Sequence, residues 1–374
     1  MTVRVTWPQA LAWRMERQLL EPVGTLSAVD VVRRLCGVQA QVASSADLAV
    51  RLRQCVSAPG EVSAALADGS LVKTWAMRGT LHLLAADEAG VYLSLLAAGR
   101  SWETPAWERY FGLSAADIER LRGVVRDILD GRVLTREEVN AQIVTTPGYE
   151  HLADELKSGW GTLFKPLAWQ GDIVFGPNRG TRVTFARPEQ ISPYWRPLPA
   201  ADQAAPLAIT AYLRAYGPAT PTQVRSWLAR GRVSGKHLRH WFSTLGDLLA
   251  KVDVEGEEMY VLAADADSLL DSKPGRAVRL LPGFDQWVLG PGTNDTHVIP
   301  GGRRAQVSRT AGWIAPLVVV GGVVSGTWAL NQDRLEIRWF AELGRAPSSA
   351  LEAEVERLSG LIGRPLALEL AESS

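Results

Sequence analysis

One composite pattern recurs three times along this chain: a capped helix, a second helix, then two short apolar strands joined by a turn. No single helix or hairpin of this kind can bury its own apolar face. The recurrence therefore points to an α+β chain of similar units packed in series. The first copy begins at Ser27, with Asp30 three residues on in a capping-box-like start. Gly37 follows as a stop, and a second helix is expected over 45–55 with Leu48 and Leu52 on one face. A third runs 62–68. The stretches 71–77 and 80–84 then read as strands around Arg78-Gly79. The second copy begins at Thr135 with Glu138 at the third helical position. Its hairpin, 173–175 and 182–185, flanks Gly176-Pro-Asn-Arg-Gly180. The third begins at Thr220 with Gln223, continues through the stripe Val224, Trp227 and Leu228, and ends in strands 249–254 and 259–262.

Helices followed by a hairpin form the winged-helix variant of helix-turn-helix. The expected units are 1–120, 121–200 and 201–265. The proline-rich segment 187–203 reads as a packed crossover. After a polar linker at 263–276 the character changes. Strands are expected at 277–281, 287–289, 317–320, 323–330, 334–340 and 366–370, with one helix at 348–361. This makes 277–374 a β-rich, barrel-like C-terminal domain.

Composition narrows the function. Forty basic residues balance forty acidic ones, so nothing in the net charge draws the whole protein to nucleic acid. Any such contact must be a local basic face. Cys36 and Cys55 form no CxxC pair, and the five histidines lack metal-ligand spacing, so no metal and no cofactor are expected. No GxGxxG, Walker, HExxH or GxSxG motif is present, which disfavours a small-molecule enzyme. The N-terminus has no signal-like apolar stretch, and the longest apolar run, 314–324, is broken by Pro and Gly. A cytoplasmic protein without membrane contact is expected.

Two basic segments stand out. Residues 229–240 gather Arg230, Arg232, Lys236 and Arg239 with His237 and His240, where a recognition helix would lie. The loop 300–304 carries Arg303 and Arg304, and Val320-Gly-Gly-Val323 offers a hairpin tip able to probe a groove. Arg78 and His82 flank the first hairpin turn. Their expected role is phosphate or lesion contact, the alternative being a structural hydrogen bond inside the wing. Between the two helices of the first unit lies Gly37-Val-Gln39-Ala-Gln41-Val. Glutamines at i and i+2 share no helical face, but in an extended segment they point the same way and can converge on one small polar object such as a water. They can equally satisfy open helix-end groups.

The Gln39-Ala-Gln41 segment resembles the Gln-x-Gln catalytic motif of the AlkZ-like DNA glycosylases. Further segments are similar to signatures of that family, in the same order: Trp75-Ala-Met-Arg-Gly-Thr-Leu-His82, Tyr216-Gly-Pro-Ala-Thr220 with Trp227, Leu281-Pro-Gly-Phe-Asp285, and the stretch 312–328 ending Gly326-Thr-Trp328. The likeness runs from about Leu11 to Leu370. It implies tandem winged helices with a C-terminal β-barrel, C-shaped around a concave DNA-binding surface. It also implies Gln39 and Gln41 as catalytic residues acting on double-stranded DNA. The substrate implied is guanine alkylated at N7, including bulky adducts or interstrand crosslinks, and the enzyme is expected as a monomer. Gln41, where a related branch has Asp, places the chain by resemblance with enzymes of self-resistance to DNA-alkylating natural products. A non-catalytic winged-helix regulator or lesion-binding protein is the competing expectation. A regulator has no need of the Gln pair, and the chain offers no heptad for dimerisation.

Overall fold

The computed structural model describes residues 3–157, 161–229 and 233–373. The chain divides into two compact units. One comprises Met1–Glu61, Ile209–Trp227 and Leu245–Ser374; the other comprises Val62–Ala208 and Leu228–Thr244. Among the described residues no helix is long and apolar enough to cross a membrane.

The first unit contains two sheets. The hairpin of the third repeat, Leu249–Val254 with Glu257–Leu262, pairs antiparallel as its turn predicts. A third strand comes from the far N-terminus: Val3–Val5 runs parallel to Leu249–Val254, with Val5 opposite Val254. Alternation along the hairpin turns Val252, Val254, Met259 and Val261 into a core with Trp7 and Trp13. Helix Trp7–Arg17 starts from a full capping box of Thr6 and Gln9.

The larger sheet orders its strands Val278–Leu281, Leu317–Val320, Val323–Asn331, Arg334–Phe340 and Ala367–Ser373. Successive pairs are antiparallel except the last, which is parallel. A parallel pair needs a crossover, and the helix Ser348–Ile362 supplies it. Leu351, Val355 and Leu358 of that helix pack with Val278, Leu280 and Ile337. The sheet is open, which corrects the expected barrel. Its two edge strands, Val278–Leu281 and Ala367–Ser373, do not pair with each other. Residues 287–289 also depart from expectation. The Asp285 carboxylate accepts the Trp287 N–H at 2.8 Å and starts the one-turn helix Gln286–Leu289. Short buried apolar runs read alike as helix or strand, and here the cap decides. The Gly321-Gly322 tip is packed rather than projecting. A Cβ on Gly322 would lie 2.7 Å from that of Leu11, and the Trp287 indole donates to the Gly322 carbonyl at 3.0 Å.

In the second unit the strands run in the order Leu81–Ala85, Leu71–Trp75, Val174–Arg179, Arg182–Ala186, Leu134–Thr135. The hairpins of the first two repeats thus share one sheet, joined where Lys73 faces Phe175. Trp75, Phe175 and Phe185 form an aromatic cluster at its centre, with ring centroids 4.7 to 5.9 Å apart. The expected box at Thr135 and Glu138 is present, and Ser114 with Asp117 forms another that the repeat pattern did not single out.

His82 lies opposite Thr74 in this sheet and is fully buried. Its Nδ1 is 3.0 Å from the Thr80 carbonyl. A carbonyl only accepts, so Nδ1 carries the hydrogen. Burial, followed by the charge of Arg78, holds the imidazole pKa down at about 3. The unfolded chain therefore binds a proton at about pH 6.5 that the folded chain refuses. Stability is full above that pH and falls as the pH drops toward the folded value. Lowering the pH from 7 to 5 should remove about 2 kcal/mol through this group alone. His82→Gln should flatten that part of the profile, measured by urea unfolding at each pH. An unchanged acid slope in the variant would show that His82 is not the group responsible.

Candidate active site and nucleic-acid interface

The segment carrying Gln39 and Gln41 is fixed on both sides, within the first unit. Upstream, helix Ala28–Arg34 is capped by Ser27, whose hydroxyl accepts the Asp30 N–H at 3.2 Å. The helix ends in two left-handed residues, Cys36 at φ +54° and Gly37 at φ +99°. The Gly37 N–H returns to the Val32 carbonyl at 2.9 Å, a reversal that favours glycine. The freed Leu35 carbonyl accepts the buried Tyr216 hydroxyl. The Tyr216 ring in turn lies against Gly290, where any Cβ would come within 2.2 Å of it. Tyr216-Gly217-Pro218 thus acts by bracing this turn.

Past the reversal, Val38–Gln39 is extended. Gln39 and Ala40 are buried, while Gln41 is exposed and sits in the bend before helix Ala43–Arg51. Ala40 is 2% exposed, so a larger residue there would depend on the surrounding core to adjust. The two amides therefore stand in different surroundings, one in the protein and one in solvent. An arrangement of this kind can accept and donate hydrogen bonds but cannot remove a proton at neutral pH.

Downstream, Arg53 and Asp285 form a fully buried ion pair. It is bidentate, with Nη1 to Oδ2 at 2.9 Å and Nη2 to Oδ1 at 2.8 Å. Arg53 also donates to the Gln18 carbonyl at 3.0 Å and the Ala49 carbonyl at 2.7 Å. One guanidinium thus locks the end of helix Ala43–Arg51 to the first helix and to the Leu281–Asp285 segment.

The expected DNA-contacting residues divide. Arg230 and Arg232 lie outside the described residues. Lys236 and Arg239 are exposed on helix Gly235–Leu245, whose other face buries Leu238, Trp241 and Leu245. His237 and His240 share the exposed side. Arg304 is exposed and reaches Thr293 Oγ1 at 3.3 Å. Arg303 is committed elsewhere. It lies over the Phe340 ring at 4.7 Å and donates twice to Glu342, at 2.7 and 2.5 Å. Those hydrogen bonds are the main reason the Glu342 pKa is pushed down to about 2. A phosphate would have to displace that carboxylate. Arg78 is half-buried at φ +58° in the turn Met77–Gly79. His82 offers no atom to solvent in this fold, which favours the structural hydrogen bond over a contact with DNA.

The ion pair generates a stability prediction. Asp285→Ala would leave the Arg53 charge buried and unpaired, at a cost of about 3 to 5 kcal/mol. The exposed pair of Arg338 and Glu336, 2.8 Å apart, should contribute about 1 kcal/mol or less. Urea unfolding of Asp285→Ala and Arg338→Ala compares them. Equal losses would remove the buried pair from its central place.

Known proteins match this architecture along its length. The family model described as DNA glycosylase AlkZ-like matches residues 32–361. An interstrand DNA cross-link repair glycosylase of Streptomyces sahachiroi is 47% identical over 368 residues, covering 97% of this chain and 99% of that protein. The solved structure of the Streptomyces sahachiroi DNA glycosylase AlkZ superposes with a TM-score of 0.96 at 46% identity, over 99% of this chain and 100% of that one. The chain belongs to the AlkZ-like family and is a DNA glycosylase.

Proposed function

We propose that this enzyme hydrolyses the N-glycosidic bond of N7-alkylated guanine in double-stranded DNA, with Gln39 and Gln41 as its catalytic residues. The observation that carries the reading is the Gln39–Gln41 segment, clamped by the Leu35–Tyr216 hydrogen bond on one side and by Arg53–Asp285 on the other. A segment held this rigidly suits preorganised polar groups. The cross-link repair named for the Streptomyces sahachiroi relative extends the proposal to interstrand crosslinks, and self-resistance to an alkylating natural product is the setting it implies.

The chemistry fits an amide pair. Alkylation at N7 makes the base cationic, so it departs as a neutral molecule without a general acid. The C1′–N9 bond breaks and its electron pair neutralises the purinium. Water adds to C1′ and its proton passes to solvent, leaving an abasic sugar. The amide oxygens are left two tasks: to orient that water and to stabilise positive charge on the sugar. N7 faces the major groove, and a bulky or crosslinked base does not fit a tight pocket, so a shallow site suits the substrate. We further propose that the three repeats are winged-helix units, that Lys236, Arg239 and Arg304 contact backbone phosphate, and that the enzyme acts as a monomer.

Single-turnover excision tests the catalytic assignment. Gln39→Ala and Gln41→Ala should each slow release of N7-methylguanine by about 10² to 10³, with duplex affinity nearly unchanged. The wild-type rate should show no acidic limb from a catalytic carboxylate between about pH 5 and 8. Normal rates in both variants would overturn the assignment. Lost affinity with normal chemistry would instead indicate lesion binding.

The phosphate contacts have a separate readout. Arg304→Ala should lower the slope of log affinity against log salt by about one. Arg303→Ala should change it far less, because Glu342 already holds that guanidinium. Equal effects of the two substitutions on the slope would show that the ion pair opens on DNA.

A further inference from the structure

Among the described residues Trp313 is the one exposed tryptophan; the others are buried or half-buried. It is 48% exposed, and its ring stands edge-on to that of Phe284, with centroids 5.0 Å apart and planes at 75°. A lone apolar residue on a surface is ordinary, but the mount of this one is not. Phe284 is 5% exposed and left-handed at φ +64°. Ala311 and Gly312, just before Trp313, are left-handed at φ +58° and +76°. A bulky side chain at positive φ is rare and costs energy. Gly283 adds a close approach, since a Cβ there would lie 2.9 Å from the Ile314 carbonyl. Two strained loops are thus pressed together beneath one exposed ring.

Trp313 closes a tight loop. The Arg309 N–H donates to the Trp313 carbonyl at 2.8 Å, and Ser308 and Ile314 form an antiparallel bridge beneath. In that register 309 opposes 313, and residues so opposed share a side. Arg309 is exposed, like Trp313. Its Nε donates to the Gln306 carbonyl at 3.3 Å. That acceptor is neutral, and among the described residues Arg309 forms no ion pair, so its charge is uncompensated. From 296 to 332 the sequence contains no Asp or Glu. The loop is tied to the core that carries the Gln segment. Phe284 and Ile314 belong to the buried cluster against which Val42, the residue after Gln41, packs. Phe284 also adjoins Asp285, whose carboxylate holds Arg53.

These surroundings select an occupant. A protein interface offers a contiguous apolar patch, whereas Trp313 follows Arg309, Thr310, Ala311 and Gly312. A flat ring beside an uncompensated guanidinium suits a nucleic-acid strand. Bases stack on aromatic faces with little regard to sequence, and phosphates take the cation. The family's action on DNA supplies the strand, and the inference rests on that action rather than on the roles of Gln39 and Gln41. In an intact duplex each base face is covered by its neighbours, so an indole gains a partner only where the stack is broken. We propose that Trp313 is a specificity residue: it stacks on a base exposed at a break in the duplex, while Arg309 meets an adjacent phosphate. The stacking contact favours distorted over intact DNA at the binding step, before any bond is cleaved. The phosphate contact is blind to damage and adds to the affinity for both.

Affinity is measured for a fully paired duplex and for the same duplex carrying a tetrahydrofuran abasic analogue, with 2-aminopurine as the adjoining base. Trp313→Ala should weaken binding of the analogue-bearing duplex about tenfold and leave the paired duplex nearly unchanged. Trp313→Phe keeps a stacking ring and should recover most of the loss. Arg309→Gln should weaken both duplexes alike and lower the salt slope by about one. Fluorescence gives a readout independent of affinity. At saturation 2-aminopurine should be dimmer with wild type than with Trp313→Ala, because an indole stacked on it quenches its emission. Melting temperatures report folding. Trp313→Leu, which keeps apolar volume on Phe284 without a ring to stack, replaces the Ala variant if that one fails to fold. Equal losses on the two duplexes, no loss on either, or unchanged 2-aminopurine emission overturns the proposal. A change of oligomeric state in Trp313→Ala, read by sedimentation, also overturns it and makes the ring a protein contact. Gln39→Ala runs in parallel. It should lose N7-methylguanine release and keep the preference for the analogue-bearing duplex, so the catalytic assignment and the stacking residue fail separately.

Discussion

The Arg53–Asp285 pair is the interaction on which the first unit depends. Both side chains are fully buried, and two charges leave water only where geometry and further hydrogen bonds repay the desolvation. Here the carboxylate takes two guanidinium bonds and also caps the helix Gln286–Leu289 through the Trp287 N–H. Two of the guanidinium's other donors go to the Gln18 and Ala49 carbonyls. Three separate stretches of chain meet at one planar group. A hydrophobic pair of equal volume would fill the space but would not fix the angle at which they meet. That angle sets where helix Ala43–Arg51 begins, and so where Gln41 stands.

The clamp also gives meaning to segments that the sequence marks without explaining. Leu281-Pro-Gly-Phe-Asp285 supplies the carboxylate that holds Arg53. Tyr216 does the corresponding work on the other side through the Leu35 carbonyl, and Gly290 is glycine because the Tyr216 ring occupies the space of a side chain. Supporting residues of this kind can matter to catalysis without meeting substrate, because rigid polar groups need no reorganisation when charge develops.

Local chemistry was legible from the residues; remote pairing was not. The starts at Ser27, Thr135 and Thr220 were readable because a capping box occupies four consecutive positions. Thr6 with Gln9 and Ser114 with Asp117 carry the same signal and were reachable by it. The hairpins were readable from turn residues between β-branched runs. The parallel addition of Val3–Val5 was not, since its partner lies about 250 positions away. The ion pair of Arg303 was unreadable for the same reason: nothing near it in sequence announces Glu342, 39 residues on. His82 looked like a surface group beside a turn, but the alternation of Leu81–Ala85 turns it inward. In the candidate site, the resemblance singled out Gln39 and Gln41, whereas their unequal burial needed the fold.

A net charge of zero in a DNA enzyme becomes intelligible once the arginines are followed to their partners. Arg122 and Arg126 meet Asp172, Arg187 meets Asp130, and Arg334 meets Glu369. These guanidinium groups are neutralised within the protein and contribute little to a long-range field. Among the described residues, Lys236, Arg239 and Arg304 have no carboxylate ion pair and are exposed, and the same holds of Arg4, Arg109, Arg182 and Arg276. A net charge of zero therefore understates the cations that phosphate could meet. On the proposed chemistry, discrimination between damaged and undamaged bases would come from the substrate: an amide pair cannot activate a neutral base, so only a base already made cationic would leave without further help.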